Sequence, residues 1–365
     1  MSHKLLFVIG DISAYGGTER VTTEIAAALA EAGHEITLLS LFGPAAPWFD
    51  MPDSVQVRSA GLEPAGGSLR RAAAISRCLR DEARWSGAQA MVLVDSILFA
   101  FCVPWVWRSP AKIICWEHFN LTTSHGKRMR NLARLAASRL SSKVVVLTER
   151  DSEAWRRKYR ITDRVQAIWN PIPRFPEWDA AATPQQAEPR VVLGVGRLTR
   201  QKGFDVLLRA WQLLDEARTG WVLRIVGGGE EEANLKQLAQ DLAITDSVVF
   251  VGQTREVDKE YRAASLYVMS SRWEGLPMTL LEAQHFGLPS VSTDCPTGPR
   301  EVLSGGSGRL VDPEDPQALA DGLTDVMSNA DKRAAMADAA QQNACRYQAE
   351  GIRREWEAML SQVNS

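Results

Sequence analysis

The sequence predicts an α/β protein of two similar halves, each a parallel sheet wrapped by helices. Three observations carry this. Short continuous apolar runs suited to buried strands alternate with stretches of helical spacing, and that rhythm means parallel strands joined by crossover helices. The rhythm breaks once, in a proline-rich and then alanine-rich stretch at residues 170–189, and resumes beyond it. The 365 residues allow about two domains at roughly 150 residues each.

Residues 5–9 are the first expected strand. Val21, Ile25, Ala28, Leu29 and Ala32 follow at helical spacing, and Gly33 marks the stop. Residues 36–41, 91–94, 112–116 and 144–147 are the later strands of this half. The apolar stretch 91–107 contains Asp95 and Pro104 and falls short of the ~18–20 uninterrupted apolar residues of a membrane span. It reads as a strand followed by a short buried helix. The expected domains are 1–169 and 190–347, with 170–189 as linker and 348–365 as a closing helix. Strands of the second half are expected at 191–195, 222–226, 248–251, 266–269 and 290–293, with helices over 319–327, 334–342 and 352–360.

Hydrophobic residues make up 45% and charged residues 24%, values of a globular chain rather than a disordered one. The net charge of −2 gives no global field toward nucleic acid. It hides an asymmetry: residues 1–170 carry 22 basic against 16 acidic groups, whereas residues 171–365 carry 20 against 28. Opposite charge suggests different partners for the two halves. The five cysteines are scattered and form no C-x-x-C, so neither a disulfide framework nor a zinc knuckle is expected, and a reducing cytosol fits best. The N-terminus reads as a strand, not as a secretion signal.

The strongest chemical constellation is Glu274-Gly275-Leu276-Pro277-Met278-Thr279-Leu280-Leu281-Glu282. Eight residues turn a helix through about 800°, which leaves the glutamates about 80° apart. A loop followed by a helix therefore suits them better than one continuous helix. Pro277 fits a first helical turn, and the N–H groups near Met278 and Thr279 would then make an anion site. An ordinary capped helix with two surface glutamates also reads this segment. Arg197 and Lys202 stand five apart in Val195-Gly196-Arg197-Leu198-Thr199-Arg200-Gln201-Lys202-Gly203, after a strand. Two cations there can converge on a diphosphate, or simply form a solvated basic loop. Gly194-Val195-Gly196 matches the dinucleotide fingerprint weakly, because Thr199 holds the third glycine position. Gly227 and Gly228 end another strand. They would let backbone approach a ligand closely, or only make a tight turn.

Together, Gly196-Arg197-Leu198 with Lys202-Gly203, the Gly227–Gly229 turn and the E-x7-E element resemble the retaining glycosyltransferases of family 4. Gly16-Gly17 after the first strand and Asn170-Pro171 at the linker match too, so the resemblance spans essentially the whole chain. The segment from Asp294 to Glu301 is similar to bacterial members that build surface polysaccharides. The resemblance implies a GT-B architecture, two Rossmann-like domains facing a central cleft, the first (1–169) binding the acceptor and the second (190–347) the nucleotide sugar, with the last helix crossing back to the first. It implies that Arg197 and Lys202 hold the donor diphosphate and that Glu282 binds the ribose. Glu274 would contact the transferred sugar, and the backbone of Leu276, Pro277, Met278 and Thr279 would support sugar and phosphate. Gly16 and Gly17 would let their loop approach the donor. His118, in Trp116-Glu117-His118-Phe119-Asn120, matches a family histidine near the sugar. No D-x-D triplet occurs, so leaving-group charge is expected to fall on fixed cations and helix amides, with no metal or other cofactor.

The basic half has its own signal. Lys127, Arg128, Arg130, Arg134 and Arg139 interleave with Met129, Leu132, Leu135, Ala136 and Leu140. A basic amphipathic helix suits an anionic membrane surface, although a solvated helix face gives the same pattern. The resulting expectation is a cytoplasmic, peripherally membrane-bound glycosyltransferase. Its donor is a nucleotide diphosphate sugar, most readily UDP-linked, carrying a hexose or N-acetylhexosamine. Its acceptor is a growing, lipid-linked glycan. A UDP-sugar 2-epimerase on the same fold and a non-catalytic sugar-nucleotide-binding subunit are the alternatives.

Overall fold

The computed structural model describes residues 2–63, 69–122, 128–175 and 190–364. The chain divides into two compact units, Met1–Pro173 with Gln348–Ser365, and Arg174–Tyr347. Of the stretch read as linker, residues 176–189 lie outside the described residues.

Among the described residues the first unit holds seven parallel strands: β1 (Lys4–Ile9), β2 (Glu35–Ser40), β3 (Val55–Ser59), β4 (Ala90–Val94), β5 (Lys112–Trp116), β6 (Lys143–Val146) and β7 (Val165–Ala167). Their order across the sheet is β3-β2-β1-β4-β5-β6-β7. Strand order reverses direction between β1 and β4, and ligands of open α/β sheets bind outside the carboxyl ends of the strands at such a point. The central strands read as continuous apolar runs because both faces are covered; every residue of β4 is buried. Helices α1 (Gly17–Glu31), α2 (Leu69–Trp85), α3 (Arg128–Leu140) and α4 (Glu149–Tyr159) connect them. After β4 come two short 3-10 turns, Ser96–Phe101 and Val106–Arg108, in place of one buried helix.

The second unit repeats the plan with β8 (Arg190–Val195), β9 (Trp221–Val226), β10 (Val248–Gly252), β11 (Leu266–Met269), β12 (Ser290–Thr293) and β13 (Gly308–Val311). The order is β10-β9-β8-β11-β12-β13, so its switch point lies between β8 and β11. The helices are α5 (Phe204–Leu213), α6 (Glu232–Asp241), α7 (Val257–Ala263), α8 (Met278–His285), α9 (Pro299–Val302), α10 (Pro316–Met327) and α11 (Ala330–Ala344). Asp315 caps α10 by accepting from the Ala318 amide at 3.0 Å, with Pro316 at the first helical position.

The last helix, α12 (Ala349–Asn364), belongs to the first unit. Its Trp356 is 1% exposed and lies 4.9 Å edge-on to Trp116 of β5 and 6.2 Å from Phe7 of β1. Glu357 of the same helix pairs with His34 at 3.0 Å. Three strands, β3, β7 and β13, were not foreseen from the sequence. All are edge strands; β3 and β13 are partly exposed and β7 has three residues, so none makes a continuous apolar run.

Candidate active site

In the second unit the loops after β8 and β11 adjoin because those strands are neighbours. This adjacency joins residues that are far apart in sequence. Lys202 Nζ donates to Glu274 Oε1 at 2.7 Å, and Ser271 Oγ donates to the same oxygen at 2.6 Å. Gln201 Nε2 donates to the Trp273 carbonyl at 3.0 Å, and the Arg272 amide donates to the Gln201 carbonyl at 2.8 Å. Glu274 is buried and the Lys202 side chain retains 15% exposure, so the pair is largely desolvated. Arg197 stands exposed on the β8 loop, outside this ion pair. Behind the loops, Arg272 grips Asp205 through two bonds of 2.8 Å, and that guanidinium holds the Asp205 carboxyl below the usual range.

Helix α8 begins after Pro277, which is the capping residue and not the first helical one (φ −75°, ψ 96°). The Pro277 carbonyl accepts from Leu280 and Leu281, so the amides of Met278 and Thr279 precede the helical ladder, the part of a helix that favours anions. Glu282 lies in the second turn, 4% exposed, with Tyr261 Oη donating to its Oε2 at 2.8 Å. Tyr267 Oη reaches Thr279 Oγ1 at 2.7 Å. Two glycines are explained by close backbone approach. A Cβ on Gly227 would stand 2.0 Å from the Gly196 carbonyl oxygen, and one on Gly298 would stand 2.3 Å from the Pro277 ring; both have positive φ (136° and 93°). Gly227 therefore brings protein backbone against the Arg197 loop, and Gly228 faces the Gln253 side chain. The segment after β12 is tied in as well: Thr297 Oγ1 donates to the Glu274 carbonyl at 2.6 Å.

In the first unit Gly16 caps α1 and Gly17 opens it, just after the β1 loop. His118 follows β5. Its ring lies 4.4 Å from that of Trp116, and burial pushes its pKa down to about 3, so it is a neutral imidazole. Its Nε2 is buried without a hydrogen-bond partner. Beside it lies a buried charge cluster. Glu117 accepts from Arg134 Nε at 2.7 Å and from Ser96 Oγ at 2.5 Å, while Arg130 forks onto Asp95 through two bonds of 2.9 Å. Arg134 also donates to the carbonyls of Phe119, Asn120 and Leu121, so it braces the turn that follows His118. Asp95 sits at φ 97°, a strained conformation for a residue with a Cβ. Burial, with the nearby Glu117 charge, raises its pKa.

Comparison with known proteins places the chain. Residues 15–174 match the model described as Glycosyltransferase Family 4, and residues 177–343 that described as Glycosyl transferases group 1. An uncharacterized glycosyltransferase of Haemophilus influenzae is 32% identical over 359 residues, 98% of this chain and 99% of that one. The amylovoran biosynthesis glycosyltransferase AmsD of Erwinia amylovora is 30% identical over 366 residues, 98% of this chain and all of its own. The chain belongs to glycosyltransferase family 4. Among solved structures, Anabaena HepE in complex with UDP and glucose has a TM-score of 0.78 at 20% identity, covering 98% of this chain and 99% of that one. The fold of this family 4 glycosyltransferase is GT-B, with two Rossmann-like halves.

One expectation for the glycosyltransferase is overturned. Arg130 and Arg134 do not form a basic outer face, for they are 3% and 0% exposed. Glu117 and Asp95 end neighbouring strands inside the sheet edge, and a buried carboxylate without a counter-charge costs several kcal/mol. Both arginines, four apart on one face of α3, turn inward to meet them. The outward face carries Met129, Leu132 and Leu135 at 51%, 62% and 40% exposure. Arg128 is exposed, and Lys127 lies outside the described residues. Sequence reasoning also missed Gln201, Ser271, Tyr261 and Thr297, which hold the two glutamates and their loops. The i, i+4 spacing of Arg130 and Arg134 was the available signal for the buried cluster, had Asp95 and Glu117 been read as strand-end acids needing partners.

Proposed function

We propose that this glycosyltransferase transfers a hexose or N-acetylhexosamine from a UDP-linked donor to a growing, lipid-linked glycan of a bacterial surface polysaccharide. The anomeric configuration is retained and no metal is used. The observation that carries the reading is the Lys202–Glu274 pair at the β8/β11 switch point, followed directly by the N-terminus of α8. An ammonium group, an exposed guanidinium at Arg197 and helix-terminal amides suit a diphosphate, and Glu274 suits the hydroxyls of the sugar attached to it. Glu282, steadied by Tyr261, is assigned to the ribose. The Erwinia relative's role in amylovoran synthesis supports a polysaccharide product, and the HepE complex supports UDP.

The acceptor hydroxyl oxygen bonds to the anomeric carbon on the face from which the diphosphate leaves. The bond from that carbon to the phosphate oxygen breaks, its electron pair goes to the nucleoside diphosphate, and the hydroxyl proton passes to the departing phosphate oxygen. Lys202 and Arg197 stabilise the charge developing there. His118 is proposed, on the family resemblance, as the histidine near the transferred sugar; held neutral, it does not oppose the positive charge developing on the ring. Peripheral membrane contact is assigned to the apolar outer face of α3, with Arg128 and Arg139 exposed on the same helix. No helix among the described residues is long and apolar enough to cross a membrane.

A panel of UDP- and GDP-sugars, read by nucleotide release and product mass with and without acceptor, tests the reading. Release of UDP with a mass gain of one sugar on a glycan acceptor supports it. An isomerised free sugar formed without acceptor, or release of GDP alone, overturns it.

A further inference from the structure

We infer that Arg80, Arg84 and Arg108 of the first unit form a pocket for the phosphate of an anionic lipid headgroup. The pocket stands without any of the donor assignments. It goes beyond the contact assigned to α3, because it is a second attachment point with its own chemistry.

A cavity of about 180 Å³ opens where the end of α2 meets the turn Val106–Arg108. Arg80 and Arg84 stand four apart on α2 and so share a face, and Arg108 comes from the turn. Trp105, Pro104 and Pro110 wall the cavity. That wall is fixed within the protein. The Trp105 indole N–H is shared between Ser76 Oγ of α2 at 3.2 Å and the Phe101 carbonyl at 3.1 Å, and the Arg108 amide donates to the Trp105 carbonyl at 2.9 Å. The guanidinium groups of Arg84 and Arg108 belong to exposed residues and make no ion pair or hydrogen bond among the described residues. Arg80 gives two bonds of 3.0 Å to Asp81 Oδ1 and keeps three of its five N–H groups. Glu82, the next acid, is already gripped by Arg58 at 2.8 and 3.0 Å. Three guanidinium groups against one carboxylate leave the cavity positive, and forked N–H donors fit the oxygens of a phosphate.

The surroundings favour a lipid as the source of that phosphate. Trp85 and Trp107, each next in sequence to one of these arginines, are 79% and 72% exposed. A free anion has no use for exposed indoles. A bilayer does, since its interface takes up indole rings at the level of the headgroups, and an anionic leaflet attracts the surplus positive charge. Helices α2 and α3 both pack on the turn Ser96–Phe101, so the pocket and the apolar outer face of α3 belong to one side of the sheet. Arg84 lies shortly before β4 begins and Arg108 shortly before β5 begins, which puts the pocket at the amino edge of the strands. His118 and Gly16 follow strands at the carboxyl edge, so the pocket stands apart from the residues assigned to the reaction.

Flotation with phosphatidylcholine vesicles, with and without phosphatidylglycerol, tests the pocket. The parent should float only where phosphatidylglycerol is present. Arg84→Gln combined with Arg108→Gln should weaken that partitioning about tenfold or more, as loss of two charges near an anionic surface implies. Arg84→Lys combined with Arg108→Lys should weaken it less, since an ammonium keeps the charge and loses the fork. Removal of two exposed arginines of α4, by Arg156→Gln with Arg157→Gln, should change it less than about twofold. Brominated phosphatidylglycerol should quench the parent's fluorescence more than that of Trp85→Phe with Trp107→Phe. Equal weakening by the two glutamine pairs overturns the pocket, since charge alone would then explain attachment. Unchanged partitioning in the Arg84 and Arg108 pair overturns it too, and loss confined to Leu132→Gln with Leu135→Gln would leave α3 as the membrane face instead. A parent that never floats overturns the lipid source, whether or not it binds inorganic phosphate in calorimetry.

Discussion

Lys202 is the residue on which most of the proposed donor chemistry turns. Its ammonium has three protons and the 2.7 Å bond to Glu274 uses one of them. If it also holds the departing diphosphate, Lys202→Ala should lower kcat/KM by about tenfold or more, ~1.4 kcal/mol of transition-state stabilisation. Arg197→Ala should do the same; steady-state kinetics near wild type in both variants would remove the clamp. His118 gives a second prediction, in pH. Its folded pKa of about 3 lies below the unfolded value near 6.5. Above pH 6.5 neither state is protonated there and the full contribution to stability is present. As pH falls, the unfolded chain takes up a proton that the folded one refuses, so stability is lost progressively toward pH 3. Between pH 7.5 and 5 the parent should lose about 2 kcal/mol more than His118→Gln in urea unfolding. The His118 ring protons should show no titration by NMR over the same range. The sequence marked Lys202 and Glu274 because they are charged groups in loops that follow strands, and the structure joins them in one ion pair; Asp95 and Glu117 show that such a place can also serve the fold. Gln201 and Tyr261 were not legible, since amides and phenols carry no such signature until their partners are known.

Helix α3 shows how an element can satisfy a pattern inside out. Its alternation of arginine and leucine was plain, but alternation says which residues share a face and not which face is buried. The sheet edge decides that: two carboxylates inside require two guanidinium groups inside. Arg134→Ala should leave Glu117, itself fully buried, short of its main partner and destabilise the fold by about 3–5 kcal/mol in urea unfolding. Arg134→Lys should recover only part of this, because an ammonium cannot span Glu117 and three carbonyls at once. A loss below 1 kcal/mol in the alanine variant would show the cluster to be dispensable. For α8, the two glutamates occupy a loop and a helical turn, and their assigned tasks separate accordingly. Glu282→Gln should weaken UDP binding in calorimetry, whereas Glu274→Gln should slow turnover and spare UDP affinity. Equal loss of affinity in both variants contradicts that division. The edge strands β3, β7 and β13 escaped the sequence because a strand with one covered face, or three residues, lacks the long apolar run that reveals a central one.

Across the whole molecule, the alternation of strand and helix made both halves of the GT-B fold readable, since a parallel sheet requires a crossover after every strand. The same whole-chain view carries the last prediction. Fixed cations and helix amides are assigned to the leaving group, so excess EDTA should leave most of the turnover, and restoration by Mg²⁺ or Mn²⁺ after its loss would refute the assignment. The return of α12 to the first unit has a consequence in time. The segment Arg174–Tyr347 is synthesised before the helix that brings Trp356 to Phe7 and Trp116. At about 5–20 residues per second, a nascent first unit waits on the order of 10–30 s for its last indole. During that interval Trp116, whose ring neighbours His118, lacks its cover. A chain that stops before α12 therefore carries an unfinished core as a mark that the cell's proteases and chaperones can read, and only a chain that includes this helix closes it.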